Sequence, residues 1–336
     1  MKRIAINGFG RIGRLAFRLI SELDNYEVVA INDLTSAEEL AYYLKYDTNH
    51  RCYDLDNVSY DENYLIYKDK KIKVYSEKDP SILPWREENI DLVLECTGLF
   101  TKLDDAYKHI VAGARHVIIS APGKGKLKTI VYGVNEDILD GTESVISAAS
   151  CTTNCLAPVL DILNKNFGVK KGFMTTVHAM TNDQSTLDVP HKKGISSRRG
   201  RAASLNIIPA STGAASAIGK VIPELEGKLD GGAFRVPVGD GSVVDLTVEL
   251  NKNTTAEEIN ELFKNNVKEH FRFTMDPVVS SDILGSRCGA LVDGLSTKVL
   301  TVDDKQLVKV VAWYDNELGY TSQMIRTMQV LLEKDI

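Results

Sequence analysis

The first third of the chain alternates short apolar runs with segments in which apolar residues recur at helical spacing. The apolar runs predict strands at Arg3–Asn7, Glu27–Ile31, Asp91–Cys96 and His116–Ser120. The helical spacing predicts helices at Arg11–Glu22 and Ala106–Ala112, the second closed by Gly113. Strands separated by helices predict βαβ units and therefore a doubly wound parallel sheet. Between them, residues 52–75 alternate polar and apolar positions in short pieces, which predicts small antiparallel strands at the edge of that sheet.

The pattern changes after residue 150. A helix is predicted at Thr152–Phe167 and another at Glu317–Lys334, and the strands between them are longer, more alternating and rich in Val and Thr. These strands are predicted at Val169–Ala179, Gly232–Pro237, Val243–Leu250 and Leu307–Trp313. Such alternation is typical of a sheet with one covered face. We therefore predict one domain from residues 1–150 and 317–336, and a second from residues 151–316 with an α+β architecture and a large, mostly antiparallel sheet.

Composition limits the possible functions. Apolar residues make up 43% of the 336 residues, charged residues 26%, and the net charge is −6, so we expect a globular protein without nucleic acid or membrane as its main partner. The five cysteines are odd in number and scattered, which argues for free thiols in a reducing compartment. The sequence has no CxxC pair and no His/Cys cluster at metal-ligand spacing, so we expect no metal site. With no signal-peptide pattern, we expect a cytoplasmic location.

A glycine motif predicts a dinucleotide site. Gly8, Gly10 and Gly13 form a GxGxxG sequence between a predicted strand and a predicted helix, which is the context that this motif requires in a Rossmann-type domain. The start of the helix offers free N–H groups to phosphate. Asp33 closes the next strand, and a carboxylate there would bond the ribose hydroxyls and repel a 2′-phosphate. The motif therefore predicts NAD, rather than NADP, as the cofactor.

Cys151 is the candidate nucleophile. It lies where a stretch of small residues meets the helix that starts near Thr152, and a helix start stabilises a thiolate and supplies N–H groups for an oxyanion. On position alone it could equally be a buried packing cysteine. Packing is the role that we expect for Cys52, Cys96, Cys155 and Cys288.

A thiolate nucleophile usually has a base, and His178 is the best placed of the six histidines. It lies near the end of the strand predicted at Val169–Ala179. The other five lie in polar or helical surroundings and are expected at the surface: His50, His109, His116, His191 and His270. The residues alone leave open whether Cys151 and His178 form a pair.

Five blocks that occur in order resemble one family. They are Asn7 to Arg14 (NGFGRIGR), Ala149 to Asn154 (ASCTTN), Arg198 to Ala203 (RRGRAA), Ser211 to Ala215 (STGAA) and Trp313 to Glu317 (WYDNE). From end to end the chain resembles phosphorylating glyceraldehyde-3-phosphate dehydrogenase of the NAD-dependent, bacterial type. The resemblance implies that Cys151 attacks the aldehyde of glyceraldehyde 3-phosphate with the help of His178. Hydride transfer to NAD would leave a thioester, which inorganic phosphate would convert to 1,3-bisphosphoglycerate.

The resemblance also implies the binding residues. Cofactor contacts would come from Gly8, Gly10, Arg11, Ile12, Gly13, Asp33, Lys78, Ser120 and Asn316. The substrate phosphate would be bound by Thr181, Asp183 and Arg235, and the inorganic phosphate by Ser150, Thr152, Arg199, Thr212 and Gly213. Hydroxyls, N–H groups and arginines are the donors that phosphate recognition needs.

The basic segment from His191 to Arg201 resembles the loop that reaches the neighbouring subunit in this family, which implies a homotetramer. Without the resemblance, the segment would be a solvated loop or a nucleic-acid patch. Two further functions stay open at this stage. One is a relative that oxidises erythrose 4-phosphate, which the intact STGAA block disfavours, and the other is a binding protein that reuses the fold.

Overall fold

The computed structural model describes residues 1–335 in two compact units. The first unit consists of residues 1–130 and 136–149 together with the C-terminal segment from Met324 onward. The second consists of residues 131–135 and 150–323. The predicted domain segment 317–336 ends one residue beyond the described part of the chain.

The first unit contains a sheet of nine strands in the order β3-β4-β5-β2-β1-β6-β7-β9-β8. The strands are β1 (Lys2–Asn7), β2 (Tyr26–Asn32), β3 (Val58–Asp61), β4 (Tyr64–Tyr67), β5 (Lys70–Tyr75), β6 (Leu92–Glu95), β7 (His116–Ile119), β8 (Lys128–Thr129) and β9 (Val145–Ser147). The helices are α1 (Arg11–Ile20), α2 (Ala37–Lys45), α3 (Leu103–Ala106) and α4 (Lys108–Val111). At one edge of the sheet, β3–β4 and β4–β5 are antiparallel pairs. All other neighbouring strands, from the β5–β2 pair to the β9–β8 pair, are parallel. The predicted parallel sheet and the small antiparallel strands predicted at its edge are therefore both confirmed.

The central strands are apolar on both faces because helices and loops cover both sides of a parallel sheet. Ile4, Ala5 and Ile6 of β1 have no exposed surface. The single helix predicted at 106–112 is divided into α3 and α4, which meet at Tyr107. Gly113 ends this region at φ 113°, where a Cβ atom would lie 2.5 Å from Arg86 Cβ.

The second unit contains a sheet of seven strands in the order β11-β12-β10-β13-β16-β15-β14. Its elements are α5 (Cys151–Phe167), β10 (Val169–His178), β11 (Ile208–Ala210), α6 (Ala214–Val221), β12 (Leu229–Arg235), β13 (Ser242–Leu250), α7 (Ala256–Asn265), β14 (Phe271–Thr274), β15 (Ala290–Val302), β16 (Lys305–Tyr314) and the start of α8 (Leu318–Lys334). Four of the six strand pairs are antiparallel, and β10–β12 and β14–β15 are parallel. The predicted mostly antiparallel sheet is confirmed.

Helix α5 carries Cys151 at its first position and is anchored at both ends. Ser150 caps its start by accepting the Thr153 N–H at 3.1 Å, and Gly168 ends it at φ 71°. Its apolar face is buried against the sheet, with Leu156, Leu160 and Leu163 among the fully covered side chains. Burying a leucine contributes roughly 1.5–3 kcal/mol, so this face fixes the position of the helix start.

Among residues 1–335, no helix combines the length and the apolar character that crossing a membrane requires.

Candidate active site

Cys151 and His178 lie within reach of each other. The Cys151 Sγ atom is 3.4 Å from His178 Nε2, at the start of α5 and the end of β10 respectively. His178 is 4% exposed. The structure therefore brings together the candidate nucleophile and the candidate base, which the residues alone could not pair.

Strand register places Arg235 beside His178. The two residues are partners in the parallel pair β10–β12. The Arg235 Nη1 group donates to Ala179 O at 3.0 Å and to Thr181 Oγ1 at 2.8 Å, which uses both of its hydrogens. We therefore assign no donation to its contact with His178 Nδ1 at 2.9 Å. His178 Nδ1, 2.8 Å from Ala179 O, can then donate its own proton to that carbonyl. This assignment leaves Nε2 unprotonated and facing the sulfur.

Burial disfavours each charged form of the pair taken alone. Burial, and then the charge of Arg235, lower the pKa of His178 to about 3. Burial raises the pKa of the Cys151 thiol, although Arg235, the Thr152 hydroxyl and the N–H groups of Thr152 and Cys151 oppose that rise. The stabilisation expected at a helix start is therefore present but outweighed. Moving a proton from Sγ to Nε2 creates both charges together, so that each stabilises the other.

A second cluster surrounds Arg235. Thr181 Oγ1 donates to Asp183 at 2.5 Å, and the Arg199 guanidinium pairs with the same carboxylate. Burial would raise the pKa of Asp183, but the Thr181 hydroxyl and the two arginines outweigh it and lower that pKa. The structure thus joins Arg199 to the three residues that we predicted to bind the substrate phosphate.

The other predicted phosphate residues have different surroundings. Thr212 and Gly213 precede α6, where Thr212 Oγ1 accepts the Ala214 N–H at 3.2 Å. In the described chain neither is hydrogen-bonded to the Cys151 pair or to Arg199. The Thr152 hydroxyl lies 2.9 Å from Tyr314 Oη in the interior, and both this hydroxyl and the Thr152 backbone N–H act to lower the pKa of the Cys151 thiol.

Tyr314 is a residue that the sequence reasoning missed. Its hydroxyl bridges Thr152 Oγ1 and Thr176 Oγ1, at 2.9 and 2.8 Å, and its ring meets the His178 ring edge-on at a centroid distance of 5.9 Å. It therefore fixes the start of α5 relative to β10, the strand that carries His178. The sequence did mark Tyr314 as part of the WYDNE block, but we predicted a function only for Asn316 of that block.

The glycine turn of the first unit is shaped for a dinucleotide. A Cβ atom on Gly8 (φ 90°) would lie 2.8 Å from Thr97 N, and one on Gly13 would lie 2.2 Å from Gly8 O, so both positions require glycine. Gly10 has open space around it and precedes α1, whose start has no side-chain cap among the described residues. Open space at an uncapped helix start suits a pyrophosphate group.

Asp33 lies beside this turn. Its Oδ2 atom accepts the Phe9 N–H at 2.7 Å, so the carboxylate is held next to the glycines. The exposed Lys78 follows β5, and Ile12 is half-buried in the first turn of α1. Ser120 follows β7 and donates its N–H to Glu95 O at 3.0 Å. The open helix start and the adjacent Asp33 carboxylate fit NAD, and the contacts of Lys78, Ile12 and Ser120 with it stay predictions.

Asn316 belongs to the second unit and is 5% exposed. Its Oδ1 atom accepts the Ser242 hydroxyl at 2.6 Å, and Ser242 Oγ accepts the Ala179 N–H at 3.0 Å. The amide oxygen is therefore engaged, and the amide nitrogen is the donor that Asn316 can present to a ligand.

Several expectations about histidines and cysteines were wrong. His109, His116 and His270 are buried, because each fills a site between packed elements rather than a helix surface. Cys155 and Cys288 are buried as expected, whereas Cys52 is exposed.

Arg11 forms an ion pair with Asp47, which gives a pH-dependent prediction. Burial alone would raise the pKa of Asp47, but hydrogen bonds from Arg11 and from the His50 N–H outweigh it and lower the pKa to about 2. A lowered folded-state pKa stabilises the protein above about pH 4, and this contribution disappears as the pH falls toward 2. We expect Asp47→Asn to lower the free energy of unfolding by about 1–2 kcal/mol at pH 7, with a smaller difference near pH 3.

Urea unfolding of both proteins between pH 3 and 7 would measure this difference. Asp61→Asn is the matched control, because Asp61 pairs with Lys71 in full exposure and should leave the unfolding midpoint almost unchanged. A constant difference between Asp47→Asn and wild type over this range would contradict the assignment.

Comparisons with known proteins identify the family of the chain. Residues 2–103 match the family model described as "Glyceraldehyde 3-phosphate dehydrogenase, NAD binding domain", and residues 150–316 match "Glyceraldehyde 3-phosphate dehydrogenase, C-terminal domain". The chain is 56% identical over 329 residues to the glyceraldehyde-3-phosphate dehydrogenase of Clostridium pasteurianum, covering 98% of both chains. It is 56% identical over 328 residues to that of Clostridium acetobutylicum, covering 98% of both, and 53% identical over 328 residues to that of Streptococcus pyogenes, covering 97% of both. The chain therefore belongs to the glyceraldehyde-3-phosphate dehydrogenase family.

Proposed function

We propose that this protein oxidises glyceraldehyde 3-phosphate to 1,3-bisphosphoglycerate with NAD and inorganic phosphate, as a glycolytic enzyme. The observation that carries the proposal is the Cys151–His178 pair, with Sγ 3.4 Å from an imidazole nitrogen and Arg235 beside the ring. The comparisons support the same activity. No feature of the described chain favours erythrose 4-phosphate or a purely binding role.

Covalent chemistry begins at the sulfur. As the Cys151 proton passes to His178 Nε2, Sγ bonds to the aldehyde carbon. His178 then returns this proton to the carbonyl oxygen, which gives a hemithioacetal and leaves Nε2 free again. The N–H groups of Cys151 and Thr152 at the helix start can stabilise the oxyanion that develops. His178 then accepts the hydroxyl proton as the carbon is oxidised to a thioester. NAD, when bound, supplies the chemistry of hydride acceptance.

Phosphate completes the reaction. An oxygen of inorganic phosphate bonds to the thioester carbon, the carbon–sulfur bond breaks, and Cys151 leaves as a thiolate that regains a proton. A thioester is a good acceptor for this attack because thiolate is a better leaving group than alkoxide. Thr181, Asp183 and Arg235 would bind the substrate phosphate, and Ser150, Thr152, Arg199, Thr212 and Gly213 the attacking one. Because Arg199 pairs with Asp183 of the substrate-phosphate set, we propose that Arg199 contacts both the substrate phosphate and the attacking phosphate.

A steady-state assay of NADH formation tests the proposal. With glyceraldehyde 3-phosphate and NAD we expect turnover that requires inorganic phosphate, because phosphate removes the acyl group from Cys151. Turnover that is equally fast without phosphate would contradict the phosphorylating mechanism. A higher kcat/KM with erythrose 4-phosphate would contradict the substrate assignment.

Asp33 should select NAD over NADP. We expect Asp33→Asn to raise the ratio of kcat/KM for NADP to that for NAD by about 10-fold, because it removes a negative charge that would face the 2′-phosphate. Asparagine keeps an oxygen that can accept the Phe9 N–H, so the glycine turn is retained. The exposed Asp24→Asn variant is the charge-matched control and should leave the ratio unchanged. An unchanged ratio in Asp33→Asn would mean that this carboxylate does not discriminate.

We also propose a cytoplasmic homotetramer with the 191–201 loop at an interface. Apolar side chains in and beside this loop are exposed, with Ile195 98%, Leu187 69% and Leu205 77% accessible, and a second copy of the chain would cover them. Light scattering after size exclusion measures the assembly. A monomer at micromolar concentration would contradict the proposal.

A further inference from the structure

A buried polar network joins the carboxyl ends of three adjacent strands in the first unit. We call it the strand-end network, and its members are Asn7, Asn32, Trp85, Glu95, Thr97 and His109. Asn7, Asn32 and Glu95 are the last residues of β1, β2 and β6, which are neighbours in the sheet. Each of the three is at most 5% exposed. Polar groups buried so deeply must find partners in the protein, which makes their arrangement specific.

Glu95 is the centre of this network and acts only as an acceptor. Its Oε2 atom lies 2.5 Å from Asn7 Nδ2 and 3.2 Å from His109 Nε2. Its Oε1 atom accepts the Thr97 N–H at 2.9 Å and also the Thr97 hydroxyl. Four donors thus converge on one carboxylate, two on each oxygen.

Trp85 fixes the direction of the His109 contact. The Trp85 Nε1 group donates to His109 Nδ1 at 2.9 Å. Because an indole N–H can only donate, Nδ1 carries no proton, and the ring proton lies on Nε2 facing Glu95. His109 and Trp85 are both completely buried. The imidazole is therefore held as a donor to Glu95.

The network holds the glycine turn against the segment that follows β6. Asn7 immediately precedes Gly8, and Thr97 N lies 2.8 Å from where a Gly8 Cβ atom would be. Asn7 Oδ1 accepts from Asn32 Nδ2 at 2.7 Å, and Asn32 immediately precedes Asp33. One carboxylate thus ties together the turn, the Thr97 segment and the strand that presents Asp33.

We propose that Glu95 is a positioning residue for NAD, one that holds these three segments in the arrangement that receives the dinucleotide. In open α/β sheets the ligand binds at the carboxyl ends of the strands, where the three segments meet. Segments that are already ordered need not lose conformational freedom when the ligand binds. The inference rests on NAD binding alone and not on the aldehyde chemistry.

Glu95→Gln tests this role with almost no change of shape. A glutamine has one acceptor oxygen and one donor amide, so it must turn its amide either toward the Thr97 donors or toward Asn7 and His109. We expect the Kd for NAD, measured by calorimetry without substrate, to rise about 10-fold or more. The KM for NAD should rise similarly, while kcat at saturating NAD stays within about 2-fold because Cys151 and His178 belong to the second unit.

Two further variants separate positioning from general destabilisation. Asp91→Asn removes a partly buried carboxylate at the opposite end of the β1–β6 pair, where Asp91 accepts the Arg3 N–H at 2.7 Å. This variant should leave the Kd for NAD within about 2-fold of wild type. In the double variant Asn7→Asp with Glu95→Gln, the new carboxylate can accept the glutamine amide. We expect it to recover part of the lost affinity.

An unchanged Kd for NAD in Glu95→Gln would overturn the proposal, and so would an equal loss in Asp91→Asn. If Glu95→Gln yields little folded protein, Asn7→Ala carries the same test, because it removes the side-chain link from the end of β1 to Glu95 while Glu95 keeps Thr97 and His109. An unchanged Kd in Asn7→Ala would then overturn it. Failure of the wild-type protein to bind NAD would instead contradict the proposed function.

Discussion

Replacing Cys151 with serine should lower kcat/KM for phosphate-dependent NADH formation on the order of 10⁴-fold or more. The hydroxyl of serine holds its proton far more tightly than a thiol, and the site already disfavours charge, since burial raises the pKa of the Cys151 thiol itself. An acyl group on oxygen would also transfer to phosphate less readily than a thioester. The steady-state assay with saturating NAD measures the loss, and mass spectrometry of protein quenched during turnover would show no acyl adduct.

Cys155→Ser is the matched control for this experiment. Cys155 lies one helical turn further along α5, is completely buried, and has a pKa raised well above its usual value by burial. Its thiol donates toward the carbonyls of β16 and has no part in the proposed chemistry. We expect kcat/KM within a few-fold of wild type. Wild-type turnover by Cys151→Ser, or an equal loss in both variants, would rule out a specific covalent role for Cys151.

His178→Asn should lower the rate of thioester formation by about 10²–10⁴-fold near pH 7, the range expected for the loss of a general base. Without Nε2 beside the sulfur, the thiol must release its proton to solvent, and its raised pKa makes that rare at neutral pH. Single-turnover formation of NADH without phosphate isolates this step. His116→Asn is the control, because the same substitution there removes a buried histidine of the first unit that bonds to Glu143 O.

The pH profile of the same variant distinguishes a base from a packing residue. In His178→Asn the reactive thiolate forms in proportion to hydroxide, so the logarithm of the rate should rise with a slope near one through pH 6–9. Wild type should respond less steeply, because its proton transfer is internal to the pair. A variant whose profile is parallel to that of wild type would show that His178 does not accept the proton.

Much of the first unit follows from local patterns. The predicted strands at Arg3–Asn7, Glu27–Ile31 and His116–Ser120 are each confirmed to within a residue or two. The physical reason is that strands buried on both faces must be continuously apolar, which is visible without any tertiary information. The two glycines with a steric requirement, Gly8 and Gly13, were likewise marked by their spacing.

Burial of single polar residues could not be predicted in this way. His109 follows a polar segment and was expected at the surface, yet it lies between Trp85 and Glu95, which are 24 and 14 residues away in sequence. Glu95 ends an apolar strand, and its four donors come from residues as distant as Asn7. Such networks depend on which strand ends become neighbours in the sheet. The pattern of apolar and polar residues within one strand does not specify its neighbours.

The amino-acid sequence by itself determined the main elements and the dinucleotide motif and marked Cys151 as the candidate nucleophile, because each depends on local spacing or on a short block of residues. Only the tertiary structure decided that Cys151 meets His178. The two lie 27 residues apart, and their contact at 3.4 Å depends on where α5 begins relative to the end of β10. The tertiary structure also decided the electrostatics of the pair. Burial in the folded protein, and the Arg235 that strand register places beside His178, set pKa values that no local pattern contains.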